Sequence, residues 1–208
     1  MNQLIYFLRK KLRIVLSQRF WLILLALTAL SLSLGTKVPL NAQYVPAAIA
    51  TNTWRYASFP VENPQAYTSG FGYRISPVTG QSQFHYGLDI AASLGSYVRN
   101  WWEGQIVELS DHTACGTMIR IRSGQWTHIY CHLMGSVGNT PQGQYLMDQD
   151  GGIIVWLGQN IPLGARIGRV GMTGRTTGPH LHWGLMYGRE YVDPALILQE
   201  MFRYQAAS

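Results

Sequence analysis

Three short segments carry side chains of the types and spacings that metal-centred acid–base chemistry uses. His85-Tyr-Gly-Leu-Asp89 pairs an imidazole with a carboxylate, Tyr130-Cys-His132-Leu adds a second histidine, and Gly178-Pro-His180-Leu-His182-Trp adds two more. Imidazole and carboxylate are ordinary ligands of a reactive zinc, which takes three protein groups and keeps one position for water. On a strand, His180 and His182 point to the same face about 7 Å apart, so one can bind an ion while the other reaches a group beside it. His85 and Asp89 would stand about 13 Å apart on a straight strand, too far to share one ion. Their segment must bend, and Gly87 is placed to allow it. Taken singly, His-x-x-x-Asp and His-x-His arise by chance; the weight lies in their occurring together.

The elements that must position these residues are short and cut by glycine. Of 22 glycines, 21 lie between Gly70 and Gly188. The pieces between them are rich in β-branched and aromatic residues: Tyr97–Asn100, Gln105–Leu109, Thr117–Arg122, Trp126–Leu133, Ile153–Leu157, Arg166–Val170 and His180–Met186. That pattern predicts an antiparallel all-β domain, with Ser123-Gly-Gln125 closing a hairpin over Thr117–Leu133. One helix is expected at the end, where Asp193 caps, Pro194 takes the first helical position and Ala195–Phe202 follows. There is no internal repeat and no sign of a second folded domain.

The remaining candidates are weighed against structural roles. His112 follows Asp111 in a turn-like stretch and reads as exposed. By strand period His128 shares a face with Tyr130 and His132 but lies about 13 Å from His132, so both cannot serve one ion. A place in a substrate cleft is the alternative to a packing role for His128. Arg74, in Phe71-Gly-Tyr-Arg74, reads equally as a substrate clamp in that cleft and as a brace of the fold. Trp101 and Trp102 read as core or rim residues. Cys115 and Cys131 fall on the two arms of the hairpin, near-opposed in register, and in an oxidising compartment such a pair forms a disulfide. The competing reading, a nucleophilic Cys131 beside His132, is weakened because neighbouring strand residues face opposite ways.

Charge and the leader set the compartment. Among 208 residues there are 16 Lys plus Arg against 10 Asp plus Glu, a formal charge of +6. Seven of the basic residues fall in the first 60 positions, which hold no acid; from Val61 onward nine arginines face ten acids, a net of −1. The folded part therefore has no polyanion-binding signature, and nucleic acid is excluded as its main partner. Arg9, Lys10, Lys11, Arg13 and Arg19 precede an apolar run over Phe20–Leu34, with 17 uncharged residues between Arg19 and Lys37. This is export grammar, long for a signal sequence and at the lower limit for a membrane span. Cleavage near Ala42 or Ala50 and retention as an inner-membrane anchor are both open. The expected layout is a leader over 1–42, a tether over 43–60 and a folded domain over 61–204.

The ordered set Phe71-Gly-Tyr-Arg74, His85-x-Gly-x-Asp89, Glu103-Gly-x-Ile106, Tyr130-x-His132-Leu133, Gly164-x-x-Ile-Gly168-x-Val-Gly171-x-Thr-Gly174 and Gly178-Pro-His-Leu-His182 resembles the lysostaphin-type (LytM-like) zinc metalloendopeptidases of bacterial cell walls. The resemblance spans roughly Ser69 to Pro194. It implies a single compact peptidase domain with a narrow cleft, zinc held by His85, Asp89 and His182, and catalytic roles for His180 and His132. The chemistry is consistent: two neutral imidazoles and one carboxylate leave the metal a net positive charge that acidifies water. A base must then take a proton and a polar group must support the oxyanion. His180 and His132 are available for these tasks, and the sequence leaves open which does which.

The expectation is thus an exported zinc endopeptidase that cuts peptide cross-links of peptidoglycan in the periplasm of a Gram-negative-type envelope. The alternative is a catalytically silent wall-binding module that activates a partner amidase. The stretch 134–157 is longer than the short connection usual in the family. It is expected to be a loop with a short added hairpin that narrows the substrate groove.

Overall fold

The computed structural model describes residues 52–207. The expected leader over 1–42, with its cleavage or anchoring, and the first part of the 43–60 tether lie outside the described residues. Among the described residues no helix is long and apolar enough to cross a membrane.

The chain forms β1 (Ala66–Ser69), β2 (Gly72–Ile75), β3 (Ser82–His85), β4 (Leu88–Ala91), β5 (Tyr97–Arg99), β6 (Gly104–Ser110), β7 (Thr117–Ser123) and β8 (Trp126–Leu133). It continues through β9 (Ser136–Thr140), β10 (Gly143–Asp148), β11 (Ile153–Trp156), β12 (Asn160–Ile161), β13 (Arg166–Arg169), β14 (His180–Tyr187) and β15 (Glu190–Val192), and ends in helix α1 (Pro194–Ala206). The main antiparallel sheet runs β1-β4-β14-β8-β7-β6-β12, with β15 pairing β14. Three small sheets complete the fold: β11-β10-β9, β13-β5 and β2-β3. The all-β, antiparallel architecture with one C-terminal helix is the one the glycine-punctuated pattern predicts.

Local chemistry explains the best-defined elements. Ser123 pairs with Trp126 across a two-residue turn, and Gly124 supplies the positive φ of 60° that the first turn position of a II′ hairpin demands. At α1, the Asp193 carboxylate accepts from the Ala195 N–H at 2.9 Å and Pro194 opens the first turn. Both features satisfy or remove amides that the helix leaves unpaired.

Strand β14 divides the sheet into two faces. Leu181, Trp183 and Leu185 are fully buried in the main core, while His180 and His182 point the other way, as a period of two requires. The core side joins Trp183, Trp101 and Trp126 to Trp54 through edge-to-face contacts of 5.4–5.8 Å. Such pairs add about 0.5–1.5 kcal/mol each to the burial of their area. Trp54 and Ala57 are each only 4% exposed, and Ser58 N–H donates to the Trp101 carbonyl. The part of the expected tether from Trp54 to Pro60 is therefore integral to the domain, because an apolar aromatic residue drops into a core the β-sheet leaves open. Helix α1 likewise runs to Ala206, beyond the expected end at 204.

The 134–157 stretch also departs from expectation. It is a three-stranded sheet rather than a loop with one hairpin, pairing Leu146 with both Val137 and Val155. Leu146, Ile153 and Val155 are buried in the main core. Asp148, only 4% exposed at its side chain, holds Arg169 of β13 by two bonds of 2.6 and 2.7 Å.

Candidate metal centre and cleft

Register brings the ligand candidates together. Strand β4 pairs with β14 so that Asp89 stands opposite His182, and both side chains leave the sheet on the same face. His85 closes β3, and the chain turns at Tyr86-Gly87 before β4 begins, so His85 folds back over Asp89. His85 Nε2, Asp89 Oδ1 and His182 Nδ1 form a triangle with sides of 3.0, 2.9 and 2.9 Å. The bend needed between His85 and Asp89 is present, but Gly87 serves it differently from the sequence reading. Its φ is not in the left-handed region; instead a Cβ there would lie 2.7 Å from both the His182 ring and the Trp183 carbonyl. Glycine is required for close packing, not for conformational freedom.

The donor set fits a metal ion. The His85 Nδ1–H donates to the Gly70 carbonyl at 2.7 Å, which leaves a lone pair on Nε2 of the neutral ring. That lone pair faces the Asp89 carboxylate and His182 Nδ1 together, and a single proton cannot satisfy all three contacts. A cation can, and two imidazoles with one carboxylate suit zinc. His85 and Asp89 are buried and His182 half-buried. Burial would raise the Asp89 carboxyl, but the hydrogen bond from His182, with the His85 ring packed beside it, outweighs this and holds Asp89 well below the carboxylate range. Burial pushes His182 below its ordinary value against the pull of Asp89.

Two further histidines border the triangle. His180 Nε2 stands 3.6 Å from Asp89 Oδ1, and its Nδ1–H donates to the Gly178 carbonyl at 2.8 Å, with Thr176 Oγ1 at 3.2 Å. The His132 Nδ1–H donates to the Thr173 carbonyl at 2.9 Å. In each ring the outer nitrogen is thereby fixed as the one that carries the proton, and Nε2 is left with a lone pair. Burial lowers His132 to about 4, so the ring is neutral near pH 7. The two rings face each other with centroids 4.8 Å apart.

His132 reaches this place by breaking the strand period. It has φ 60°, at the register shift where β7 and β8 stop pairing evenly. Regular alternation would send it to the core beside Tyr130; the left-handed residue turns it into the cleft.

His128 stays behind and does not line the cleft. It is fully buried on the core face, within a hydrogen-bonded chain between the Trp101 N–H and the Glu103 carbonyl. Along it the Trp101 N–H meets Tyr130 Oη at 2.8 Å, Tyr130 Oη meets His128 Nδ1 at 3.1 Å, and His128 Nε2 meets Ser123 Oγ at 2.8 Å. Ser123 then donates to the Glu103 carbonyl. The cleft expectation for His128 failed because it assumed that His128 and His132 share a face.

Arg74 stands beside the triangle. It lines the cleft, and its guanidinium lies 3.5 Å from Asp89 Oδ2, leaving Oδ1 to the triangle. The cleft, of about 220 Å³, is also walled by Gln83, Arg175 and Thr176. No residue of the 134–157 sheet is among those lining it: its buried side chains and the Asp148–Arg169 pair fold it against β13 instead. Cys115 and Cys131 are joined in a disulfide, and His112 is exposed, with 83% of its side chain accessible. The carbonyls of Gly70, Thr173 and Gly178, which orient three histidines, were beyond sequence reasoning because a backbone group carries no side-chain signature. Arg175 and Thr176 lie between the glycine-rich motif that ends at Gly174 and the one that opens at Gly178, and the spacing alone did not single them out.

The sequence model of peptidase family M23 matches residues 142–194, including His180 and His182. The Vibrio cholerae protein named peptidoglycan DD-endopeptidase ShyA is 33% identical over 132 residues, 63% of this chain and 27% of that protein. The crystal structure of a zinc-containing peptidase from Vibrio cholerae superposes with a TM-score of 0.52 at 30% identity, covering 67% of this chain and 38% of that one. This chain carries a peptidase M23 domain. The M23 domain shares its fold with the catalytic domain of lysostaphin from Staphylococcus simulans, at a TM-score of 0.51 and 24% identity, covering 72% of this chain and 98% of that one. The chain spans only about a quarter of the length of the curated relatives it matches. The family match stops short of His85 and Asp89, which geometry brings to the M23 site.

Proposed function

We propose that this chain is an exported zinc endopeptidase that hydrolyses peptide cross-links of peptidoglycan. The observation that carries this reading is the convergence of His85, Asp89 and His182 on one point, with the free Nε2 atoms of His132 and His180 turned towards the same cleft. The peptidoglycan DD-endopeptidase name of ShyA supports the choice of substrate. His85, Asp89 and His182 would hold the zinc, which when bound would supply Lewis acidity for acidifying water and polarising a carbonyl.

The chain's own residues do the rest. His180, whose Nε2 is nearer the ligand carboxylate, takes the proton of the attacking water. His132, neutral and oriented by Thr173 with its Nε2 lone pair open to the cleft, accepts a hydrogen bond from that water and aligns it for attack. Water adds to the carbonyl carbon, His180 passes the proton it has taken to the leaving nitrogen as the C–N bond breaks, and a carboxylate and an amine leave. Arg74 holds Asp89 in its ligating orientation, a supporting role that commonly tunes a metal site. The silent wall-binding alternative gains nothing from a site in which all five residues converge.

Export and a periplasmic setting are supported by the basic-then-apolar leader and by a disulfide that reducing compartments do not sustain. Sequencing the N-terminus of the mature product separates a cleaved leader from an inner-membrane anchor. For the activity, purified protein is assayed for bound metal and incubated with sacculi, and the released peptides are read by mass spectrometry. About one zinc per chain and new peptide ends at cross-links are expected; a metal-free protein that leaves sacculi intact defeats the proposal.

A further inference from the structure

The Cys115–Cys131 disulfide joins two segments that meet at His132. Cys131 precedes it and is the register partner of His182, while the Cys115 carbonyl accepts the His132 N–H at 2.8 Å. Cys115 sits in a turn that also carries the 173–175 loop: the Ala114 carbonyl accepts the Arg175 N–H at 2.9 Å. Where the turn and the loop meet, Gly116 and Gly174, both with positive φ, pack so closely that neither leaves room for a Cβ.

That loop supplies the Thr173 carbonyl which fixes the His132 ring. Thr173 Oγ1 also accepts the Thr117 N–H at 2.8 Å and donates to the Leu133 carbonyl at 2.9 Å. His132 is thus held through its amide and its ring by two loops that stack on one another, and the disulfide ties the inner loop to β8. A non-glycine residue keeps a left-handed backbone in a strand only when its surroundings over-determine it. The ligands are held by other means: Asp89 and His182 by the β4–β14 pairing, His85 by Gly70.

From this we infer that the Cys115–Cys131 disulfide is a positioning device for His132, so that peptide cleavage requires the oxidised chain while metal binding does not. The inference rests on His132 acting in catalysis as proposed above. An external dithiol reverses the device: its thiolate attacks Cys115 Sγ, the more exposed sulfur, and the Cys115–Cys131 bond breaks to release the Cys131 thiolate. The second thiol of the reductant then displaces Cys115 from the mixed disulfide. The protein gains two electrons and two protons, and the dithiol becomes a disulfide.

The test compares the oxidised protein with Cys115→Ala/Cys131→Ala, which leaves no thiol to compete for zinc, with His132→Ala, and with the triple variant. Zinc content, kcat and KM on a defined cross-linked muropeptide, and hydrogen exchange over 131–134 and 173–175 are measured. The cysteine-free variant should keep about one zinc per chain and exchange the His132 and Arg175 amides faster. Its kcat should fall on the order of 10- to 100-fold, as expected for a slightly misplaced catalytic group, with little change in KM. Added to His132→Ala, the cysteine changes should cost no further activity. If the cysteine-free variant does not fold, the native protein reduced with a phosphine and alkylated is measured in its place. Full activity without the disulfide, beside an inactive His132→Ala, removes the inference alone, and so does a loss that adds to that of His132→Ala. Full activity in His132→Ala removes the catalytic reading of that residue itself.

Discussion

His132 and His180 face each other at 4.8 Å, although their strands are paired in a register that sets Cys131 opposite His182. The left-handed backbone of His132 makes this possible by turning its ring from the core face to the cleft face. Two histidines that strand period would separate are thereby placed beside a metal triangle that neither completes.

His180 and His182 look alike in sequence but should fail differently. His182→Ala removes one side of the triangle and should lose zinc and activity together. His180→Ala leaves all three ligands and should keep close to one zinc per chain, while activity falls by about 10²–10⁴-fold. Bound zinc and cleavage of the same wall substrate are measured on both. Metal loss in His180→Ala with retention in His182→Ala reverses the assignment of ligand and base.

Gly87→Ala should weaken the metal site without touching a ligand. The added methyl meets the His182 ring and the Trp183 carbonyl, so His182 must move off the triangle. A drop in zinc affinity of about 10–100-fold is expected, the usual range for disturbing a ligand's support. Competition with a chromophoric chelator measures it, and an unchanged affinity means that the neighbouring strands yield instead.

Arg169→Ala leaves the buried Asp148 carboxylate without its partner. Asp148 is held below its ordinary pKa chiefly by the hydrogen bond from Arg169. The loss should be on the order of 3 kcal/mol, the low end for a broken buried pair, because Arg169 keeps 16% of its side chain exposed. Urea unfolding reports the magnitude, and hydrogen exchange over 136–156 should quicken first. Since that sheet does not line the cleft, zinc content should not change; a variant as stable as the parent contradicts the argument.

Acid should destabilise the domain partly through His128. Burial pushes this residue down to about 3, so the folded chain resists a proton that the unfolded chain accepts near pH 6.5. Its contribution is complete above pH 6.5 and is lost as pH falls towards 3, by about 1.4 kcal/mol per unit. His128→Gln should therefore be less stable than the parent at pH 7, through its disturbed bonds to Ser123 and Tyr130, with the gap narrowing as pH drops. Denaturant midpoints at pH 7, 6 and 5 decide it. A gap that stays constant shows that His128 takes up its proton equally in both states.

Much of the architecture was legible in the sequence because it rests on local rules. The II′ hairpin at Gly124, the Asp193 cap, the alternation along His180–Tyr187 and the ligand types in three segments each depend on residues within a turn or a strand of one another. What the tertiary structure decided depends on partners far along the chain. His132 leaves the face of His128 because the Cys115 and Thr173 carbonyls and the Gly171 N–H, up to 41 residues away, hold its backbone and ring. Gly87 is glycine because a ring 95 residues on occupies its Cβ space. Trp54 belongs to the core, and the 134–157 sheet lies against β13, because burial of apolar area and the Asp148–Arg169 pair favour those sites. Strand period assumes an even backbone, and where distant hydrogen bonds break that evenness at the end of β8 the cleft acquires His132.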